Sequence, residues 1–211
     1  MPHVVLIRPG CTDYDQQNRV QGTLDVPMNV HGQEQVARIV DELRSMPIEV
    51  IYAPHCEPAW STAERIGEEL DVPVKESEEL RNLNQGLWQG LPVDDIRHKY
   101  PRAFRQWQDA PQTICPPEGE TVDKALQRIR KALSKPLKKK DVFAVVCSEP
   151  LATLVGFVLS GQPAAMPDPH CSCGERCRID QLSVNGDPLD HGAPVAAAAP
   201  GGSNGQEGPK P

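Results

Sequence analysis

The chain has 211 residues and a formal net charge of −7, and 22 of its residues are proline, about twice the usual share. The acidic balance disfavours nucleic acid and anionic membranes as partners, and no apolar run is long enough to span a bilayer. With no signal-peptide pattern at the start, these features predict a cytoplasmic protein built on one folded domain.

Short apolar segments alternate with amphipathic segments over the first 160 residues. Apolar, β-branched runs predict strands at 3–7, 50–53, 73–75 and 141–147. Apolar residues three and four apart predict helices at 32–46, 58–70, 121–133 and 151–160, and two short helices within 92–108 that meet at Pro101. This alternation predicts a three-layer α/β/α sandwich with a mostly parallel central sheet. Functional residues are then expected beyond the carboxyl ends of the strands.

Composition divides the chain into three parts. Residues 1–165 form the predicted domain, and residues 166–190 are a cysteine-rich extension that we expect to pack on it. Residues 191–211 are rich in Ala, Gly and Pro and have little apolar surface to offset lost conformational entropy, so a disordered tail is predicted.

The segment from Leu6 to Gln35 resembles the signature of the histidine phosphatase superfamily, the phosphoglycerate mutase-like proteins. The matching positions are Leu6, Ile7, Arg8, Gly10, Thr12, Arg19, Gln21, Gly22, Asp25, Pro27, Gly32 and Gln35. Later blocks match in the same order at 51–64, 80–90 and 116–121, so the resemblance covers roughly residues 3–160. It implies the fold of that family and a phosphate pocket.

The resemblance also shows where this sequence departs from the family. The family's phosphorylated histidine, which directly follows the first arginine, corresponds to Pro9, and its second phosphate-binding arginine to Pro58. The acidic proton donor corresponds to Asn82, and the second histidine to Ser148. Proline has no nucleophilic atom and an amide cannot donate a proton to a leaving alkoxide, so only Arg8 remains of the five groups.

These departures predict a catalytically inactive pseudophosphatase that acts as a binding or regulatory module. Its ligand would be an unknown protein partner or a small phosphorylated molecule, held through Arg8, Thr12, Arg19 and Gln21. The alternative is a residual or divergent enzyme of the phosphatase or phosphoglycerate mutase type.

The seven cysteines indicate reduced thiols or metal ligands rather than a disulfide framework. Cys11 and Cys147 are expected as small buried or half-buried thiols at the mouth of the pocket, and a thiol activated by Arg8 is the alternative. The extension carries four soft ligands within eight residues, namely His170, Cys171, Cys173 and Cys177. They would suit a structural zinc ion, the one cofactor that the sequence suggests, although their spacing is unorthodox. A thiol-rich surface loop and a redox or intermolecular disulfide role are the alternatives.

Residues 124–140 contain eight basic residues and no acidic residue. Docking of an acidic partner or of nucleic acid is one interpretation of this run. A solvated outer helix face is the favoured one, because Val122, Ala125, Ile129 and Leu133 form an ordinary apolar stripe on the same helix.

Overall fold

A computed structural model describes residues 3–109, 115–139, 141–161 and 177–184. The strands are β1 (His3–Ile7), β2 (Val50–Ala53), β3 (Val74–Glu76), β4 (Phe143–Val146) and β5 (Ile179–Ser183). The helices are α1 (Asp13–Gln16), α2 (Val30–Leu43), α3 (Ala59–Leu70), α4 (Val93–Lys99), α5 (Pro101–Asp109), α6 (Val122–Ser134) and α7 (Leu151–Ser160). All strands and helices expected before residue 161 are present, with ends shifted by up to three residues.

The five strands form one sheet in the order β3-β2-β4-β1-β5. Neighbours pair in parallel except at β5, which runs antiparallel to β1 with Val5 opposite Gln181. The predicted mostly parallel sheet is therefore confirmed. Because β4 lies between β1 and β2, the loops that leave these three strands at their carboxyl ends meet at one edge.

Alternate residues of each central strand enter two separate cores, as the two-residue period of a strand requires. Val4 and Leu6 face a core shared with α6 and α7, whereas Val5 and Ile7 face a core shared with α2 and α3. The expected three layers are thus present. A third cluster joins Val20 and Trp88 to α4 and α5. No helix in the described ranges combines the length and apolarity that crossing a membrane requires.

Strand β5 lies within the segment predicted as a cysteine-rich extension, and no strand was predicted there. Its two apolar residues, Ile179 and Leu182, are three positions apart, which is not the period of a strand. The strand forms because β1 offers an open edge, along which Val4 pairs with Leu182 and Leu6 with Asp180. This pairing brings Asp180 to the carboxyl end of β1.

Candidate functional site

The candidate site is the edge where the loops after β1 and β4 meet. Arg8 leaves the end of β1 and is only 5% exposed. Its Nε donates to an Oε1 atom of Glu149, which follows β4, and its Nη1 donates to Oδ2 of Asp180 on β5. One buried guanidinium is therefore paired with two carboxylates of the same chain.

Glu149 is fixed at both carboxylate oxygens. While Oε1 accepts from Arg8, Oε2 accepts from the backbone N of Thr153 at 3.1 Å and from its Oγ1 at 2.8 Å. Thr153 lies in the first turn of α7, so the carboxylate also occupies a helix N-terminus, where negative charge is stabilised. Glu149 thus links the end of β1 to the start of α7.

Burial and ion pairing have opposite effects on the pKa of Arg8. Burial by itself lowers the pKa of the guanidinium, but the charges and hydrogen bonds of Glu149 and Asp180 outweigh burial and raise the pKa above its ordinary value. Arg8 remains a cation, and Arg178 approaches Asp180 from the solvent side with 3.8 Å between Nε and Oδ2.

Asn82 lies beside this ion-pair cluster and is 5% exposed. Its Nδ2 donates to the carbonyl oxygens of Gly22, at 3.1 Å, and Glu149, at 2.8 Å. Its Oδ1 accepts from the backbone N of Leu83 at 2.8 Å and of Leu151 at 3.4 Å. Both ends of the amide are used, and they connect three separate loops.

The loop that carries Pro9 packs closely against the first turns of α2 and α3. The backbone N of Gly10 donates to Oγ1 of Thr62 at 3.2 Å, and a Cβ atom on Gly10 would lie 2.6 Å from the carbonyl oxygen of Gly32. Pro9 itself is buried. Pro58 is buried at the start of α3, and Ser148 lies half-buried between β4 and α7.

The other predicted ligand residues are engaged within the chain. Thr12 caps α1 in a reciprocal pair of hydrogen bonds with Asp15. Arg19 donates from Nη1 to the carbonyl oxygen of Gly90 at 2.7 Å, and Gln21 donates from Nε2 to that of Glu57 at 3.1 Å. Among these four residues, and within the described part of the chain, only Arg8 belongs to the ion-pair cluster with Glu149 and Asp180.

A family model settles the relationship of this chain to known proteins. The model of the histidine phosphatase superfamily, branch 1, matches residues 4–187. The chain belongs to this superfamily. Family membership, expected from the segment between Leu6 and Gln35, is thereby confirmed.

Two proteins named as phosphatases are similar to this chain in sequence. Phosphoserine phosphatase 1 of Hydrogenobacter thermophilus is 26% identical over 139 residues, which cover 66% of this chain and 66% of that protein. Glucosyl-3-phosphoglycerate phosphatase of Mycobacterium tuberculosis is 32% identical over 148 residues, which cover 70% and 61%. The matched region is thus less than two thirds of these relatives' lengths.

Two solved structures share the fold of this chain. Bacillus stearothermophilus YhfR superposes with a TM-score of 0.71 at 25% identity, covering 78% of this chain and 82% of that one. A mycobacterial glucosyl-3-phosphoglycerate phosphatase complexed with VO3 superposes with a TM-score of 0.78 at 24% identity, covering 90% and 94%. The likeness to the second structure concerns the fold alone.

The cysteines at this edge are not activated thiols. Cys147 is fully buried and free, as expected, and burial followed by the charge of Glu149 raises the pKa of its thiol. Cys11 is also buried but is disulfide-bonded, so the expectation of a free thiol is wrong there, because the sequence pattern carries no signal for that pairing. Burial likewise raises the pKa of Cys177 to about 12.

Cys56 lies in the loop after β2, and the rate at which its thiol is alkylated should depend on pH. Burial and then the charge of Asp25 raise the pKa of its thiol to about 11. The neutral thiol therefore persists at pH 8, where its thiolate fraction is roughly 200-fold lower than that of a free thiol of pKa about 8.5, so we expect markedly slower alkylation by iodoacetamide. Mass spectrometry of the Cys56 peptide should show the rate rising up to about pH 11, and a plateau near pH 8.5 would contradict this.

The zinc hypothesis lies mostly outside the described residues. His170, Cys171 and Cys173 are not described, and Cys177 is a half-buried free thiol. Within the described ranges, His, Cys, Asp and Glu side chains form no group of three or more suited to a metal ion. The zinc site therefore stays a prediction.

Arg128 connects the segments around Asn82, a role for which the sequence pattern carries no signal. Its Nε and Nη2 donate to the two carboxylate oxygens of Glu120 at 2.7 and 2.9 Å. Its Nη1 also donates to the carbonyl oxygen of Glu79 at 2.6 Å, and its Nη2 to that of Asn82 at 3.2 Å. A planar guanidinium makes these bonds at once, which a single ammonium cannot do.

We expect Arg128→Lys to lower the free energy of unfolding by about 1–2 kcal/mol, because the charge is kept while the forked hydrogen bonds are lost. Urea denaturation measures the change. Arg97→Lys is the matched control, since Arg97 is exposed on α4, and it should shift stability by less than about 0.5 kcal/mol. Equal effects of the two substitutions would contradict the role of Arg128.

Proposed function

We infer that this chain is a non-catalytic member of the histidine phosphatase superfamily that serves as a binding or regulatory module. The observation that carries this inference is the pairing of Arg8 with Glu149 and Asp180. The family's first phosphate-binding arginine is retained, but its charge is already matched by carboxylates of the chain.

Electrostatics then oppose a phosphate at this position. A phosphate group would have to displace Glu149 from a buried cation or approach two carboxylates at close range, and like charges at such distances repel strongly. Phosphoryl transfer needs several converging cations and donors that stabilise charge in the transition state, and each lost donor costs a few kcal/mol. The internal pairing of Arg8 supports a site that neither binds nor transfers phosphate.

The residues at the other family positions support the same inference. Pro9 and Pro58 carry neither a nucleophile nor a cation, and Ser148 takes the place of an imidazole. Asn82, at the position of the proton donor, uses its amide to connect loops. Asn82 thus has a structural role, and none of the four side chains supplies an imidazole, a cation or a carboxylic acid.

Residual or divergent phosphatase activity is the second candidate. It is favoured by the relatives, because a protein that is 32% identical over 148 residues is a glucosyl-3-phosphoglycerate phosphatase. On this view the relevant substrates are small phosphorylated molecules.

Hydrolysis of p-nitrophenyl phosphate and of 3-phosphoglycerate decides between the two. We expect the protein and an Arg8→Met variant to release phosphate at the same background rate, and vanadate to leave that rate unchanged. Circular dichroism checks that the variant is folded, and the vanadate test stands without the variant. A vanadate-sensitive rate, or a rate about tenfold above that of Arg8→Met, would establish the enzyme instead.

Phosphate binding is tested separately by thermal shift. A ligand that binds the native state raises the apparent melting temperature, and about 2.7 kcal/mol is gained at a concentration of about 100 times Kd. With Arg8 internally paired, we expect no rise at about 10 mM inorganic phosphate. A rise that the Arg8→Met variant lacks would show that the pocket still accepts anions.

A further inference from the structure

The outer face of α6 and the turn that follows it form a positively charged surface. We define the lysine face as the exposed residues Lys124, Lys131, Lys135, Lys138 and Lys139. Eight of the 22 basic residues of the chain lie within 124–140, and all 29 acidic residues lie elsewhere. A strong local positive charge is thus placed on a protein of net charge −7.

Helix geometry separates this face from the core. At about 3.6 residues per turn, Lys124 and Lys131 of α6 and its C-cap residue Lys135 fall on one stripe. The buried residues of the helix, Val122, Ala125, Leu126, Ile129 and Leu133, lie on the opposite side. Packing therefore does not require the lysines, and the stripe is available to solvent along the whole helix.

Most of the positive charge is uncompensated. Lys131 pairs with Glu79 at 2.8 Å, and the hydrogen bond from Lys131 lowers the pKa of that carboxyl. Among the described residues, no ion pair joins Lys124, Lys135, Lys138 or Lys139 to a carboxylate. A partner that brings negative charge would therefore meet lysines without having to break existing pairs.

The lysine face lies apart from the ion pairs of Arg8 with Glu149 and Asp180. Glu120, just before α6, accepts from the loop that carries Asn82, so the helix begins at the edge of the candidate site. The chain then runs from Lys139 toward the start of β4, at the opposite edge of the sheet. Most of the lysine face thus lies along the side of the domain and beyond the candidate site.

We propose that the lysine face is a docking surface for a short, extended acidic segment of a partner protein. Lys124 and Lys135 are ~16 Å apart along the helix at ~1.5 Å per residue. An extended peptide advances ~3.3 Å per residue, so about six acidic residues span the stripe and the turn after it. The proposal rests on the inferred binding role, and it identifies the partner as a negatively charged peptide segment.

Charge and side-chain type favour an acidic peptide over nucleic acid and over the C-terminal segment of this chain as the ligand of the lysine face. Nucleic acid extends beyond the stripe, so its further phosphates meet the acidic remainder of the chain, and the lysine face lacks the aromatic side chains on which single strands stack. The tail at 191–211 contains a single acidic residue, Glu207. A six-residue acidic segment can remain within about one Debye length, ~8 Å, of the lysines.

Fluorescence anisotropy of a labelled hexaglutamate peptide, titrated with the full chain at low salt, tests the proposal. The test variant carries Lys124→Glu, Lys135→Glu and Lys138→Glu, and the control carries Lys75→Glu, Arg97→Glu and Arg102→Glu. Both variants change exposed residues and the net charge equally. We expect at least about tenfold weaker binding for the test variant, less than about twofold change for the control, and weaker binding at 300 mM salt.

Three results would overturn the proposal. These are no saturable peptide binding, equal loss in both variants, or tighter binding of a single-stranded oligonucleotide than of the peptide. Sedimentation velocity tests whether a second copy of the chain occupies the lysine face. Salt-sensitive self-association that is lost in the test variant would also overturn the proposal. Phosphatase activity of the protein would contradict the inferred function but would not alter the peptide result, so the two failures are distinguishable.

Discussion

We expect the Glu149→Ala variant to lose about 3–5 kcal/mol of unfolding free energy, a large part of the stability of a domain of this size. The substitution removes the main partner of a guanidinium whose side chain is 6% exposed, and it removes two hydrogen bonds at the start of α7. At about 2–4 °C per kcal/mol, the melting temperature should fall by roughly 10 °C.

Two further variants show that the effect belongs to the buried pair. Glu68 is an exposed carboxylate on α3, so Glu68→Ala should change the free energy by less than about 0.5 kcal/mol. Glu149→Gln keeps the shape and an acceptor but loses the charge, and it should fall between wild type and Glu149→Ala. If the melting temperatures of Glu149→Ala and Glu68→Ala differ by less than about 2 °C, the ion pair between Glu149 and Arg8 does not stabilise the fold.

The parts of the fold that depend on local pattern were predictable from sequence. β1 and β4 are short apolar runs, and α2 and α3 repeat apolar residues three and four apart. These patterns identify the two strands and the two helices, and their apolar residues are buried in the structure. α1 was not predicted, because a four-residue helix has no period to detect and depends on the reciprocal hydrogen bonds between its N-cap residue Thr12 and Asp15.

The candidate site was predictable only in part, because its electrostatics depend on distant residues. The loops after β1 and β4 could be located from strand order, and Glu149 could be placed near Arg8. Asp180 is 172 residues from Arg8 in the chain and reaches it through β5, a strand without a sequence signal. Without that strand, the number of carboxylates facing Arg8 cannot be known from the sequence.

The second large effect concerns Asn82, for which we expect Asp to be a poor replacement despite its nearly identical shape. Nδ2 of Asn82 donates to the carbonyl oxygens of Gly22 and Glu149 in a buried site. A carboxylate has no donor there, so two acceptors lose their partner and face an added negative charge. At about 1–3 kcal/mol for each unsatisfied group, Asn82→Asp should cost about 3 kcal/mol of unfolding free energy.

Asn84→Asp provides the matched control two residues away. Asn84 uses its Oδ1 to accept from the backbone N of Gly86 at 2.8 Å, which an aspartate also does, so its cost should stay below about 1 kcal/mol. The loss in Asn82→Asp, measured against wild type at each pH, should shrink in acid, because burial favours the protonated carboxyl and a protonated oxygen can donate. Equal stability of both variants at pH 7 would mean that position 82 still accepts an acidic side chain, and it would remove the structural reason for the amide there.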